Sequence, residues 1–259
     1  TWYSGVPTMH QAILMRAKKK PKLAEELSLR FIRSSSASLP PAVFDELKKI
    51  FKTTVIEAYG MTEATHQMTS NPMPPDKQKA GFVGKPAGPE VCIMDTQGNK
   101  LDTGVDGEVC IRGNNVTNGY ENNEEANKNA FINGWFRTGD QGHFDDEGYL
   151  KISGRLKEII NRGGEKVSPL EVDNILMEHE AVEQVVTFAV KDNLLGEAIG
   201  VAIVLKSGIE CNEIDIKNYA SKHLADFKIP KYIRFLEEIP KGATGKLQRI
   251  GLAEKLGLE

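Results

Sequence analysis

The sequence predicts an α/β layer, then antiparallel β structure, then a compact α+β region, and three observations carry that order. Helix-period and strand-period runs alternate up to about residue 80. Short β-like runs separated by turn sequences fill 81–153. A helix–strand–strand–helix–strand series then runs from Pro169 to Phe235.

In the first region Met9, Ala12, Ile13 and Arg16 recur at helical spacing, which predicts a helix over Thr8–Ala17 that starts at Pro7 or Thr8. Leu29–Arg33 alternates apolar and basic residues as a short strand does. It runs into Ser34-Ser35-Ser36-Ala37-Ser38, whose small side chains would crowd a ligand little. Pro40-Pro41 opens a second helix with Val43, Phe44, Leu47 and Ile50 on one face, and Thr54–Tyr59 reads as the next strand. The second region has strands at Val91–Met94 and Gly107–Arg112, turns at Gln97-Gly98-Asn99 and Asp106-Gly107, and a hairpin turn at Asp145–Gly148 leading into Tyr149–Ile152. It predicts a small antiparallel sheet or barrel. In the third, Pro169–Glu178 and Asn212–Leu224 are helices, while Val185–Val190, Ile199–Leu205 and Tyr232–Phe235 are strands.

At 259 residues the chain can bury one or two cores, and a net charge of −3 does not indicate a nucleic-acid partner. Cys92, Cys110 and Cys211 lie too far apart for metal-ligand spacing or a disulfide framework, so a reducing compartment is expected. No apolar run reaches the roughly 18 residues of a membrane span, and the N-terminus lacks a signal-peptide layout. Cytoplasm is the expected location; the peroxisome is not excluded, although Gly257-Leu258-Glu259 is not a peroxisomal Ser-Lys-Leu address. The chain starts without Met in what reads as mid-domain sequence, so it is expected to be a piece of a longer protein.

Four stretches carry candidate chemistry. Gly154–Pro169 crowds Arg155, Lys157, Arg162 and Lys166 around Gly163-Gly164, which suits a phosphate-bearing ligand; a solvated turn is the other reading. In Tyr59-Gly60-Met61-Thr62-Glu63, Gly60 permits a tight turn, Thr62 offers a hydroxyl to a phosphate oxygen, and Glu63 offers a hard oxygen to Mg²⁺. The same residues also read as a helix start capped by Thr62. Gly134–Asp140 reads as a polar loop bracketed by glycines and ending in an acid able to hold a ribose diol, or as an Asx-type turn. Thr244-Gly245-Lys246 is not a Walker loop, because Pro240 stands where the first glycine belongs and Leu247 follows the lysine.

In this order, Tyr59–Glu63, Gly107–Gly113, Gly134–Asp140, Gly154–Lys157 with Gly163-Gly164, and Pro240–Lys246 resemble the motifs of the adenylate-forming superfamily of acyl-CoA synthetases, luciferases and peptide-synthetase adenylation domains. The resemblance covers nearly the whole chain. It implies the distal part of a large N-terminal adenylation domain, with an α/β portion at 1–80 and a small antiparallel β-barrel at 81–153. A mobile α+β C-terminal domain would follow at 154–259, hinged at about 155–157. It implies ATP-dependent activation of a carboxylate to an acyl-adenylate, with AMP then displaced by CoA, and Mg²⁺ as cofactor.

Carried over by residue, the resemblance implies that Ser36, Ala37, Glu57, Ala58, Tyr59, Gly60 and Met61 line the nucleotide and acyl pocket. Thr62 would bind the adenylate phosphate and Glu63 the Mg²⁺. Asp140 would take the ribose hydroxyls, helped by Arg155. Lys246 would be the adenylation lysine, Lys157 the hinge, and Gly163-Gly164 the passage for CoA. Lys166 would lie near CoA and phosphate, an exposed strand lysine being its other reading. Within the superfamily Thr1–His10, Glu57–Pro72 and Asn115–Asp140 look most like plant and fungal oxalate:CoA ligases. Oxalate keeps a second charge, for which Ser36 and His66 are the candidate donors; His66 follows Glu63 by three positions and is expected on the same side of a helical turn. Asn161 stands where 4-coumarate-type ligases carry lysine. The family's Ser/Thr/Gly-rich phosphate loop is not in the sequence, so the resemblance is to a C-terminal half whose N-terminal part is the expected partner. A 4-coumarate-like or medium-chain fatty acyl ligase is the alternative acid specificity. A non-catalytic AMP- or CoA-binding remnant is the alternative of another class.

Overall fold

A computed structural model describes residues 1–241 and 247–258. The chain divides into two compact units, Thr1–Ser153 and Gly154–Glu259.

The first unit begins with β1 (Trp2–Gly5), α1 (Pro7–Lys19), α2 (Pro21–Glu26), β2 (Phe31–Ser34), α3 (Pro41–Phe51) and β3 (Thr54–Tyr59). Pro7 and Pro41 stand in the first turns of their helices, where a fixed φ helps and the missing N–H costs nothing. β1, β2 and β3 are parallel, with Gly5 beside Ser34 and Ser34 beside Glu57. Leu14 and Ala17 of α1 and Val43, Phe44 and Leu47 of α3 bury against Ile32 and Val55 of the sheet. Full burial of such side chains stabilises by roughly 1.5–3 kcal/mol each. β4 (Thr69–Ser70) turns back antiparallel on β3, and β5 (Lys85–Pro86) extends the sheet.

A second sheet follows from β6 (Glu90–Met94), β7 (Gly107–Arg112), α4 (Glu124–Ala130), β8 (Phe131–Ile132), β9 (Trp135–Phe144) and β10 (Leu150–Arg155). Its order is β10-β9-β7-β6 with β8 on β9, a curved-sheet arrangement with two edges.

The second unit contains β11 (Ile160–Arg162), β12 (Glu165–Val167), α5 (Pro169–Met177), β13 (Val182–Asp192), β14 (Gly196–Leu205), α6 (Glu213–His223), β15 (Tyr232–Phe235) and α7 (Leu252–Lys255). The sheet order is β12-β11-β14-β13, with β15 parallel to β14. Ser168 caps α5 by accepting from the Glu171 N–H, and Asn212 with Asp215 forms a capping box on α6. The sheet is buried on both faces. Val172, Leu176, Ile216 and Ala220 cover Val201 and Ile203 on one side, and Leu252 and Ile239 cover Phe188 and Ala202 on the other.

Arg249 ties this unit together. Its Nη2 lies 2.6 Å from Asp173 Oδ2, its Nε 3.2 Å from Glu158 Oε2, and its Nη1 donates to the Thr187 carbonyl at 3.0 Å. Burial pulls the guanidinium pKa down, and the Asp173 and Glu158 carboxylates more than offset that, so the group ends above its ordinary value.

Candidate active site

In the first unit the candidate residues lie where the parallel strands end. Ser34 and Glu57 are neighbours in register, so the Ser35–Ser38 turn after β2 and the Tyr59–Glu63 stretch at the end of β3 occupy the same C-terminal edge of the sheet. That edge is where open α/β sheets take ligands. Ser36 holds φ +73° and is exposed, as is Ala37. Ser35 is tied down by Arg33 Nη1, which donates to its Oγ at 3.0 Å.

Tyr59 and Asp140 meet. The Tyr59 hydroxyl donates to Asp140 Oδ2 at 2.5 Å, although the residues are 81 positions apart. Asp140 is 4% exposed. The loop expected at Gly134–Asp140 is not there: β9 runs unbroken from Trp135 to Phe144. Its polar residues pair with β7 and so form strand despite weak local propensity. What the strand has instead is a bulge, since Glu108 faces Gln141 and Cys110 faces Arg137. Thr138, Gly139 and Asp140 are therefore opposite Val109 alone, and Gly139 sits at φ +73°. Such an insertion re-aims a side chain. Glu108 secures it, with Oε1 accepting from the Gly139 N–H at 3.1 Å and Oε2 from Arg137 Nε at 2.7 Å. The sequence assigned Glu108 no role, because its partners lie 29 and 31 residues away.

Past Tyr59 the chain doubles back on itself. A Cβ on Gly60 would lie 1.7 Å from the His66 carbonyl oxygen, so close approach, rather than backbone angle, demands glycine here. Thr62–Ala64 forms one 3-10 turn with Met61, not Thr62, in the capping position, and the Thr62 residue is exposed. The turn stops at Thr65, φ +48°, and His66 follows at φ +78°. The expectation that Glu63 and His66 share one side of a helical turn is thus corrected, since the left-handed residues break the helix between them. No hydrogen bond joins His66 to Ser36 among the described residues. Glu63 Oε1 accepts from the Tyr120 hydroxyl at 2.9 Å, a contact across 57 residues that the sequence did not suggest. Burial and the Glu63 carboxylate raise the Tyr120 pKa.

Glu57 turns its carboxyl inward. At 2% exposed it has Oε1 accepting from the Leu39 N–H at 2.8 Å, while Oε2 is buried without a partner. Burial pushes its pKa up to about 8, against the smaller opposing effect of the Leu39 bond.

In the second unit the described candidate residues are exposed. Arg155 precedes a 3-10 turn, Leu156–Glu158, that carries Lys157, and both cations are exposed. Gly163 (φ +61°) and Gly164 (φ +95°) form the two-residue turn joining β11 to β12, with Arg162 paired to Glu165 across it. Two positive φ angles in a two-residue loop define the I′ hairpin turn, which explains both glycines locally. The Gly163 N–H also donates to the Leu195 carbonyl at 2.8 Å. Lys166 is exposed on β12 opposite Asn161. Lys246 lies outside the described residues.

Residues 1–121 match the family model of the AMP-binding enzyme, and residues 171–246 match that of the AMP-binding enzyme C-terminal domain. An oxalate–CoA ligase of Arabidopsis thaliana is 52% identical over 250 residues, covering 96% of this chain and 48% of that protein. A probable CoA ligase of Humulus lupulus is 52% identical over 98% of the chain and 48% of its own length. The chain belongs to the AMP-binding enzyme family.

The chain's fold agrees with solved structures. ATP-bound MatB from Rhodopseudomonas palustris is 31% identical and superposes with a TM-score of 0.91, over 98% of this chain and 50% of that one. The chain spans about half the length of the curated relatives it matches. No cluster of three or more His, Cys, Asp or Glu is placed to hold a metal ion among the described residues. Glu63 is a single half-buried carboxylate with one oxygen held by Tyr120. That donor set fits an ion shared with substrate phosphates, as Mg²⁺ is usually bound, and does not fit a protein-only cage. No helix among the described residues is long and apolar enough to cross a membrane.

Proposed function

We propose that the chain is part of a longer enzyme that activates oxalate with ATP and transfers the oxalyl group to CoA. The observation that carries the reading is the buried Asp140, aimed by the β9 bulge and bonded to Tyr59 at the ligand edge of the parallel sheet. An aspartate held in this way can accept both hydroxyls of a ribose diol. Thr62 then lies in the turn just after Tyr59, where its hydroxyl can donate to the adenylate phosphate, and Glu63 beside it is the residue that would hold Mg²⁺. The ion supplies charge neutralisation when bound. Ser36, Ala37 and the main chain of Glu57–Met61 line the adenine and acyl pocket. The oxalate assignment is supported by the Arabidopsis thaliana and Saccharomyces cerevisiae relatives, both oxalate–CoA ligases, 52% and 50% identical. Ser36 and His66, both exposed, are the donors offered to its second carboxylate.

In the first step a carboxylate oxygen bonds to the α-phosphorus and pyrophosphate leaves; in the second the CoA sulfur bonds to the acyl carbon and AMP leaves. Lys246 offsets the repulsion between carboxylate and phosphate in the first step. Arg155 assists Asp140 at the nucleotide, Lys157 is the hinge between the units, and Gly163-Gly164 with Lys166 meets CoA. The missing N-terminal part of the same enzyme is the remaining partner. Three free cysteines fit a cytoplasmic setting.

The test is pyrophosphate release by the full-length protein with oxalate, longer dicarboxylates, acetate, medium-chain fatty acids and 4-coumarate. Oxalate is expected to be turned over best. A fatty acid or 4-coumarate turned over in its place selects the other acid specificities, and AMP or CoA binding without turnover selects the non-catalytic module. Lys246→Ala is expected to cut adenylate formation by about 10²-fold or more, while transfer from preformed adenylate survives. Equal loss in both steps removes Lys246 from its role. His66→Ala is expected to raise the oxalate KM, and an unchanged KM removes His66 from the pocket.

A further inference from the structure

Three buried polar atoms lack partners along one row of the first sheet: His10 Nε2, Ser34 Oγ and Glu57 Oε2. The register shows that they form a row. Gly5, Ser34 and Glu57 are successive neighbours across β1, β2 and β3, so their side-chain positions point to one face, about 4.8 Å from strand to strand. Gly5 has no side chain, and the His10 ring takes that place, its Cε1 standing 3.2 Å from where a Cβ would be. All three residues are sealed from solvent. The other carboxyl oxygen of Glu57 accepts the N–H of Leu39, at the far end of the Ser34–Leu39 turn. Glu57 therefore holds both ends of that turn, Leu39 by a bond and Ser34 by adjacency.

An ionised carboxylate in this place would be an acceptor only, with one oxygen unsatisfied away from water. A neutral acid has a proton to give, and Ser34 Oγ is an acceptor in the adjoining register. We propose that Glu57 is a positioning residue: as the neutral acid it ties β3 to the Ser34–Leu39 turn and so fixes Ser36 at the ligand edge. The titratable groups on the same face are Tyr3 on β1, Tyr59 on β3 and, from α1, His10, whose ring stands over Gly5. None of them moves its pKa, which burial raises to about 8. The role rests on the adenylation reading above for its effect on rate, but not for its protonation.

Two measurements on the full-length protein test it. Infrared spectra at pH 7 are expected to contain a buried carboxylic-acid carbonyl band that Glu57→Gln removes. Adenylation followed by pyrophosphate exchange is expected to fall as pH rises through about 8, the value at which Glu57 ionises. Glu57→Gln, which cannot ionise, is expected to lack that alkaline limb, and Glu57→Leu to be slower by about tenfold at every pH, the equivalent of one lost hydrogen bond. Absence of the band in the wild type, or an alkaline limb that survives in Glu57→Gln, overturns the proposal. If no carboxylate is adenylated, the functional reading falls and the band alone decides Glu57. If Glu57→Leu does not fold, the band and the Glu57→Gln profile still decide it.

Discussion

The first unit backs its candidate site with buried, hydrogen-bonded carboxyl groups and leaves only Ser36, Ala37, Thr62 and His66 exposed at the ligand edge, whereas every described candidate of the second unit is exposed and its charge cluster at Arg249 serves to hold the unit together. Asp140 and Glu57 are sealed and hydrogen-bonded, and Tyr59 is half-buried between them and the surface. Arg155, Lys157, Gly163, Gly164 and Lys166 are all exposed. The half-buried Arg249 of the second unit reaches no candidate site residue among those described; it joins α5, β13 and the Leu156–Glu158 turn. The difference has a physical cause. Holding a neutral part of a ligand in a fixed pose needs rigid groups backed by a core, whereas meeting a charged, flexible ligand needs exposed cations and an accessible main chain. Substitutions at the buried carboxyl groups of the first unit should therefore damage stability and activity together, and those on the face of the second should separate them.

Arg249→Met gives the largest expected effect. It leaves Asp173 buried with only the Thr187 N–H on its other oxygen, and breaking a buried pair by removing one partner costs about 3–5 kcal/mol. Thermal unfolding of the C-terminal unit measures it. A loss no larger than that of an exposed lysine would dissolve the contrast between a buried scaffold charge and a displayed site. Asp140→Ala comes next, with about 1.5–3 kcal/mol for a lost hydrogen bond to a charged group. A fall in both unfolding midpoint and nucleotide affinity is expected, and loss of affinity alone would mean that the first unit does not rely on its site for stability.

The pH dependence sharpens the same point. Glu57 has an ordinary carboxylate pKa of 4.5 when unfolded and about 8 when folded, so between those values the folded chain holds a proton that the unfolded chain has released. Its contribution to stability is complete below 4.5 and is lost as pH rises toward 8, at up to about 1.4 kcal/mol per pH unit. Urea unfolding between these limits is expected to show a decline in the wild type that Glu57→Gln flattens. A stability that rises over this range would contradict the neutral acid.

The helices at α1, α3, α5 and α6 and the strands at β2, β3, β13 and β14 were legible because their apolar residues recur at the period of the element and Pro, Ser or Asn marks the helix starts. α4 was not, because Glu124–Ala130 buries no residue and offers no apolar stripe; its signal was the Asn123 cap. No strand is predicted at Trp2–Gly5, and the Gly134–Asp140 part of what becomes β9 reads as a loop because its Arg137–Asp140 stretch is polar; the pairing with β7 that makes it strand is non-local. The same holds for the Tyr59–Asp140 and Glu63–Tyr120 bonds, whose partners no spacing rule connects. The expectation for His66 rests on a helical period that stops two residues too early. Gly163-Gly164 was seen for its openness, although a two-glycine hairpin turn was equally written there.

That last ambiguity yields the smallest expected change in stability. An I′ turn accepts Asn at its first position, since Asn tolerates the left-handed region. In Gly163→Asn the new Cβ would meet the flexible end of Leu195 at 3.1 Å, a contact that the exposed side chain can yield. Unfolding should shift by no more than about 0.5 kcal/mol, as for ordinary surface changes. If the glycines serve only the turn, both half-reactions will also be unchanged. If CoA must pass close to this main chain, the variant will retain adenylation and lose rate in thioester formation from preformed adenylate, because the added side chain stands in that path. Such a split, at constant stability, is what an exposed site on an independently braced unit should give, and a matched loss of stability would place Gly163 with the scaffold instead.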